Sequence, residues 1–310
     1  MGHEISLNPV TAAPAEQPIL VPLVVISPVK NEAEYIRLTL DSMVAQTYRP
    51  IEWVIVDDGS KDETREIVKE YTDAYPFIRL ILREDQGSRQ LGGGVVRAFN
   101  YGKDRILNQD YAYIAKLDGD MSFGPWYLQK MFEKFGENPR LACVSGRVYR
   151  QENGCFIEEF HQVEQVAGQF KLYRRTAFEE IGGFVPMLAW DGIDIHACHM
   201  KGWDTHTFLD ADAWLWHHRI MGSSDRSIYV GRLRWGRGNW TMGYHPLYAI
   251  AAGVNRMSEK PVFIGGMLMI VGYFWSAIKR VPRYENLAFR RWLRKRQMQR
   301  LRRFLLGKGM

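Results

Sequence analysis

The chain has 310 residues, 46% of them apolar, enough for one large domain, alone or with an appendage, built on a real core. Its three cysteines, Cys143, Cys155 and Cys198, are odd in number and lack CxxC spacing, which excludes a disulfide framework and reads as reduced thiols packed in a cytosolic protein. The net charge of +6 is unevenly placed: residues 281–310 hold ten Lys or Arg against Glu285 alone, a tail of +9 that leaves residues 1–280 at −3.

No signal peptide opens the chain, and residues 1–20 read as a loose arm. Met1-Gly2 with Ser6 fits a myristoylation pattern that nothing else supports. Short apolar runs at 23–26, 53–56, 78–82 and 111–117 predict four strands. Between the first two, Asn31 is expected to cap a helix that sets Ile36, Leu40, Met43 and Val44 on one face. Ser60 and Glu63 form a capping box for the next helix. Alternating strands and helices imply a mostly parallel sheet with right-handed crossovers, an α/β fold. Beyond residue 120 a helix is expected over 123–135 and a strand over 141–145, and residues 150–225 are mixed. Residues 226–260 read as an active-site loop and linker. Eighteen residues, 261–278, carry no charge, which is the lower limit for spanning a bilayer. One crossing would put residue 260 and the cationic tail on opposite sides, against the positive-inside rule, so an in-plane or re-entrant helix is expected. The tail itself reads as two short basic helices, or one that is roughly amphipathic, with Met298, Leu301 and Leu305 on one face and Phe289, Trp292 and Leu293 on a rotated one. Because no RNA-binding motif accompanies these cations, residues 261–310 are expected to meet an anionic membrane surface and no nucleic acid.

Three strand ends deliver acids or turns to one sheet edge: residues 27–32 with Pro28 and Glu32, Asp57-Asp58 after the second strand, and Asp118-Gly119-Asp120 after the fourth. Open α/β sheets bind ligands at that edge. Two aspartates one residue apart make a hard oxygen site for Mn²⁺ or Mg²⁺, usually with a phosphate as co-ligand. Gly87 and Gly92-Gly93-Gly94 give the following loop freedom to approach a ligand. Arg97 then meets a phosphate or lies on a solvated helix face. His217 and His218 end a later strand on opposite faces, so one of them at most joins the metal site, and His217 is the favoured one.

The ordered set Pro28-Val-Lys-Asn-Glu32, Val56-Asp-Asp-Gly-Ser60, Arg97-Ala-x-Asn100-x-Gly102 and Leu117-Asp-Gly-Asp120 resembles the motifs of family 2 glycosyltransferases, over roughly residues 22–220. The resemblance implies a GT-A fold in a catalytic domain of residues 21–225, a nucleotide-sugar donor, a divalent metal and inversion at the anomeric carbon. It gives base recognition to Asp57 or Asp58, the nucleoside pocket to Pro28 and Glu32, and the metal to Asp118 and Asp120, with Asp120 the closer ligand. Residues 190–194 stand where many members carry Glu-Asp and supply the catalytic base. Here the base is open between Asp191 and Asp194. Asp191 is favoured because Gly192 suits an exposed loop, whereas Asp194 leads into a helix-like stretch and reads as its N-terminal acid. Residues 230–238 resemble the Gln-x-x-Arg-Trp signature of processive members, with Gly231 in the place of Gln. Arg234 would hold the diphosphate, and Trp235, with Trp190, would lie on the acceptor side.

The expected activity is inverting transfer of a single sugar to an acceptor hydroxyl, on a lipid-linked saccharide or another glycan. The protein is expected to be cytoplasmic, peripheral or monotopic on the inner face of the cell membrane. Direct transfer to polyprenyl phosphate is the nearest alternative. A sugar nucleotidyltransferase and a non-catalytic nucleotide-sugar binding module are further ones.

Overall fold

The computed structural model describes residues 18–84, 92–152, 155–159, 162–219 and 227–306. Residues 1–17 of the expected arm, the myristoylation pattern and Gly87 lie outside them. The chain divides into two compact units, one of Met1–Pro186 with Lys201–Ile220, the other of Met187–Met200 with Met221–Met310. The boundary expected after residue 225 is thus interrupted, because the segment carrying Asp191 groups with the C-terminal helices.

The first unit holds strands β1 (Ile19–Val29), β2 (Tyr48–Asp57), β3 (Ile78–Leu82), β4 (Tyr113–Leu117), β5 (Met121–Phe123), β6 (Leu141–Gly146), β7 (Val148–Glu152), β8 (Cys155–Glu158), β9 (Phe170–Arg174), β10 (Asp204–Phe208) and β11 (Leu215–His217). Helices α1 (Ile36–Val44), α2 (Thr64–Ala74), α3 (Gly93–Lys103), α4 (Tyr127–Glu137) and α5 (Arg175–Glu180) connect them. The main sheet runs β10-β6-β9-β4-β1-β2-β3 and is parallel except at β9. Leu23 to Ile26 and Trp53 to Val56 are completely buried, as strands covered on both faces must be. A smaller sheet runs β5-β11-β7-β8 and pairs Met121 with His217. Gly102 explains its place in the third motif. A Cβ there would come within 2.6 Å of Val56 Cγ2, so only glycine lets α3 lie this close to the sheet.

The capping expectations fail in an informative way. Helix α1 begins at Ile36 and α2 at Thr64, neither with a side-chain cap. The polar side chains expected as caps instead tie two loops together. Asn31 N donates to Ser60 Oγ (3.0 Å), Glu32 N to Thr64 Oγ1 (2.8 Å) and Ala33 N to Asp62 Oδ2 (3.1 Å), and Asn31 Oδ1 accepts from Lys61 N (2.8 Å). Asn31 takes φ 55°, a left-handed conformation that asparagine tolerates better than most residues.

The second unit is helical: α6 (Trp190–Met200), α7 (Ile228–Met242), α8 (Pro246–Asn255), α9 (Ile264–Ile278) and α10 (Leu287–Leu305). Most of the expected loop and linker is therefore α7 and α8. The tail is one helix, α10, which buries Phe289, Leu293 and Gln297 and leaves Leu305 exposed. No described helix is long and apolar enough to cross a membrane. Glycines bring α9 against its neighbours at backbone distance. A Cβ on Gly236 of α7 would stand 2.0 Å from the Met269 carbonyl, one on Gly272 2.3 Å from that of Leu233, and one on Gly266 2.2 Å from that of Gly253. Gly236→Ala gains roughly 1 kcal/mol of helix propensity but forces two backbones apart. The net expectation is a loss of about 1–3 kcal/mol, read as a lower urea midpoint. An unchanged midpoint would contradict this packing.

Candidate active site

Parallel pairing aligns the ends of β1, β2 and β4, because Val29 registers with Asp57 and Ile26 with Lys116. The acids that follow these strands therefore share one edge. Gly119, between the two aspartates, faces Val29 Cγ1 at 2.9 Å and Glu32 Cγ at 3.3 Å from an ideal Cβ, so the turn packs directly on the first loop.

Asp120 sits just before β5, and β5 is the antiparallel partner of β11. That register brings His217 Nε2 to 3.3 Å from Asp120 Oδ2, and His218 N donates to the Asp120 carbonyl at 3.0 Å. His217 Nδ1 lies 3.4 Å from Glu159 Oε1. His218 points elsewhere and bonds Ser122 Oγ at 2.6 Å. Arg219 bridges Glu32 and Asp120, reaching Asp120 Oδ2 at 3.2 Å. Lys116, buried in β4, bonds Asp118 Oδ1 and the Gly168 carbonyl. Lys116, Glu159 and Arg219 were not anticipated from sequence. A lysine inside an otherwise apolar strand was a usable signal for the first. Glu159 and Arg219 reach the site only through tertiary contacts.

These charges split the titrations. Burial, then the Asp120 charge, push the Asp118 carboxyl up against the pull of Lys116. Burial would raise Asp120 too, but His217 and Arg219 outweigh it and hold Asp120 low. Burial, then Asp120, lift Glu32 to about 8 despite Arg219. Burial alone would lower His217, yet the Asp120 and Glu159 carboxylates lift it to about 10. A histidine raised this far contributes stability that is complete below its ordinary pKa near 6.5 and is lost as pH climbs through about 10. Glu32, an acid raised above 4.5, also costs stability as pH rises toward 8. Metal-free protein should therefore unfold at lower temperature as pH goes from 7 to 10, and His217→Gln should flatten the upper part of that curve. Parallel curves for the two proteins would remove His217 as the cause.

As they stand, Asp118, Asp120 and His217 do not close into a metal cluster, and no group of three His, Cys, Asp or Glu does so among the described residues. Lys116 and Arg219 occupy the carboxylates instead. The donors nevertheless fit a hard divalent cation. Asp120 Oδ1 is buried and finds no hydrogen-bond partner among the described residues, a costly state for a carboxylate oxygen.

On the nucleoside side, Asp57 is fully buried and spent on Ser60 N (2.8 Å) and Arg65. Asp58 is partly exposed and bonds Arg83 at 2.6 Å. A cleft of about 350 Å³ beside this pair is lined by Gly59, Ser60, Lys61, Arg65, Leu82, Arg83 and Glu84. Pro28 is at the end of β1, half-buried. Arg97 is half-buried on α3, and a guanidinium nitrogen lies 2.9 Å from where a Gly93 Cβ would be.

Residues 24–190, more than half of the chain, match the family model described as Glycosyl transferase family 2. The chain belongs to that family. Similar curated proteins include the poly-beta-1,6-N-acetyl-D-glucosamine synthase of Staphylococcus aureus (strain COL), 23% identical over 271 residues, 80% of this chain and 61% of the relative. The synthase of the same name from Staphylococcus epidermidis is 24% identical over 235 residues, 67% of this chain and 52% of the relative. The chain thus spans between about half and about three fifths of the length of these curated relatives. Among solved structures, the mannosyltransferase PcManGT from Pyrobaculum calidifontis in complex with GDP-Man and Mn²⁺ superposes with TM-score 0.50 at 16% identity, covering 92% of this chain and 85% of that one. S. aureus TarS 1–349 in complex with UDP-GlcNAc gives TM-score 0.52 at 14% identity, over 81% and 71%. These likenesses show the GT-A fold expected of family 2.

The residues expected from sequence on the acceptor side belong to the second unit. Asp191 lies exposed in the first turn of α6, so it is a helix N-terminal acid and not the loop residue expected beside Gly192. Asp194 is buried within the same helix and accepts from Ile195 N at 2.6 Å. Trp190 is buried at the helix start. Arg234 is half-buried and Trp235 exposed, both on α7. The Trp235 ring lies 4.6 Å from the Arg232 guanidinium and 4.9 Å from that of Arg256, and both arginines pair with Glu259.

Proposed function

We propose that this glycosyltransferase is metal-dependent and inverting, and that it moves a single sugar from a nucleotide donor to an acceptor hydroxyl in surface polysaccharide or glycoconjugate assembly. The observation that carries the reading is the buried Asp120 Oδ1, without a hydrogen-bond partner among the described residues, beside Asp118 and His217. Asp118, Asp120 and His217 would hold Mn²⁺ or Mg²⁺, which supplies charge neutralisation for the departing nucleoside diphosphate. Asp58, whose carboxylate is partly exposed, is a better partner for a nucleobase N–H than fully buried Asp57. Pro28, Glu32 and Arg97 complete the donor side, and Arg234, Trp235 and Trp190 the diphosphate and acceptor side. Asp191 takes the acceptor proton, since an exposed carboxylate is available to a substrate hydroxyl and a buried one is not. The basic tail and the uncharged stretch 261–278 support a cytoplasmic enzyme on the inner membrane face, working on a lipid-linked acceptor.

UDP-GlcNAc is the first donor to test, because the curated relatives are named as poly-N-acetylglucosamine synthases and one structural neighbour holds that nucleotide sugar. Those names also favour a second reading, repeated addition to a growing chain, whereas Gly231 in place of the signature Gln favours one transfer. Product length separates them. Calorimetry with UDP, GDP, dTDP and CMP, each with Mn²⁺, Mg²⁺ or EDTA, tests the site. Metal-dependent binding of one nucleotide, UDP by expectation, is the predicted result. If folded protein binds none of them, the metal-transferase reading fails and a non-catalytic role takes its place.

A further inference from the structure

Helix α9 is turned inside out. Its buried residues are Gly265, Gly266, Met269, Gly272, Tyr273 and Ser276, mostly small, and they face α7 and α8. Its large apolar residues Ile264, Met267, Val271, Phe274, Trp275 and Ile278 point outward. They recur every three or four positions, so they form one ridge along the helix. Trp275 is 59% and Ile278 72% exposed, against 2% for Tyr273. The preceding Val262 and Phe263 extend the ridge. Helix α8 repeats the pattern, burying Ala249 and Gly253 and exposing Leu247, Ile250 and Val254. In water this arrangement wastes the hydrophobic effect, because the side chains with most apolar area are the ones left outside. Contiguous patches of this kind mark an interaction surface.

Charge says what covers it. Residues 228–306 hold sixteen Lys or Arg and only two acids, Glu259 and Glu285. Glu259 is neutralised by Arg232 and Arg256. Exposed Lys260 stands just before the ridge, and exposed Lys279 and Arg280 just after it. Lys279 Nζ lies 5.1 Å from the ring centre of exposed Trp275. An apolar ridge with a tryptophan and cations at its ends suits the headgroup region of an anionic bilayer. The 15 residues of α9 make a rod of about 22 Å, short of the roughly 30 Å of hydrocarbon, so the helix lies in the plane.

We infer that the α8–α9 ridge is a monotopic seat, set into the surface of an anionic membrane and flanked by Lys260, Lys279 and Arg280. This gives the membrane placement in the proposed function a defined face, and it is tested apart from the transferase reading. Full-length protein is floated with vesicles of phosphatidylcholine containing one third phosphatidylglycerol, and nucleotide binding is measured in parallel. Wild type should float with these vesicles, and the Met267→Glu/Trp275→Glu double variant should lose at least tenfold in vesicle affinity. Both substitutions are at exposed positions, so the variant should keep its circular dichroism and nucleotide affinity. Milder Trp275→Ser should fall between the two. Flotation unaffected by these substitutions would mean that the tail's charge alone binds lipid, and would overturn the seat. Failure to float, with a concentration-dependent dimer that the substitutions dissociate, would overturn it in favour of a second copy.

Discussion

Asp120→Asn is expected to reduce turnover on the order of a thousandfold, with metal-dependent nucleotide binding lost in the same variant. The oxygen lost is the one the fold has gone furthest to prepare. Asp120 is desolvated, kept ionised by His217 and Arg219, and left with Oδ1 unpartnered among the described residues. A carboxylate held charged at a buried point supplies several kcal/mol of attraction to a divalent ion and little to a neutral ligand. Several kcal/mol is about three powers of ten in rate. Asparagine keeps size and shape, so the fold should survive, with His217 titrating lower once one carboxylate is gone. Steady-state turnover with Mn²⁺, beside a melting curve, is the measurement. Activity within tenfold of wild type would remove Asp120 from the metal site.

Asp191→Asn is expected to lower kcat by about a hundred- to ten-thousandfold while donor affinity stays as it was, the signature of a lost general base. Asp194→Asn provides the contrast. Asp194 is 2% exposed and hydrogen-bonded within its own helix, so changing it should cost about 1–3 kcal/mol of stability before it costs rate. If Asp191→Asn stays nearly fully active, transfer to a phosphate becomes the better reading, since an acceptor that is already anionic needs no strong base.

The sheet edge that carries the candidate site was readable in the sequence for one reason. Buried parallel strands are written as unbroken apolar runs, and the acids interrupting those runs mark the sheet edge, as Asp57 and Asp118 do. Other parts were hidden for equally definite reasons. Asn31 and Ser60 look like local caps but find partners 29 and 30 residues away. Arg219 reaches Glu32 across 187 residues, a separation no spacing rule spans. Helix α7 resembles a loop because Gly231, Gly236 and Gly238 weaken its propensity, although Gly236 is there to admit α9. The orientation of α9 was illegible because hydropathy ranks isoleucine far above glycine and so turns the large apolar face inward, the reverse of what close packing on Gly265, Gly266 and Gly272 produces.

The four hydrogen bonds between the loop at 31–33 and the loop at 60–64 make those two segments inheritable only as a pair. A donor-specificity transplant that exchanges one loop alone would strand up to four polar partners in the recipient, at roughly 1 kcal/mol or more apiece. Chimeras carrying both loops from another family member should therefore melt close to the parent, and single-loop chimeras well below it. Such linkage would let natural variants alter either segment only through coordinated changes on both.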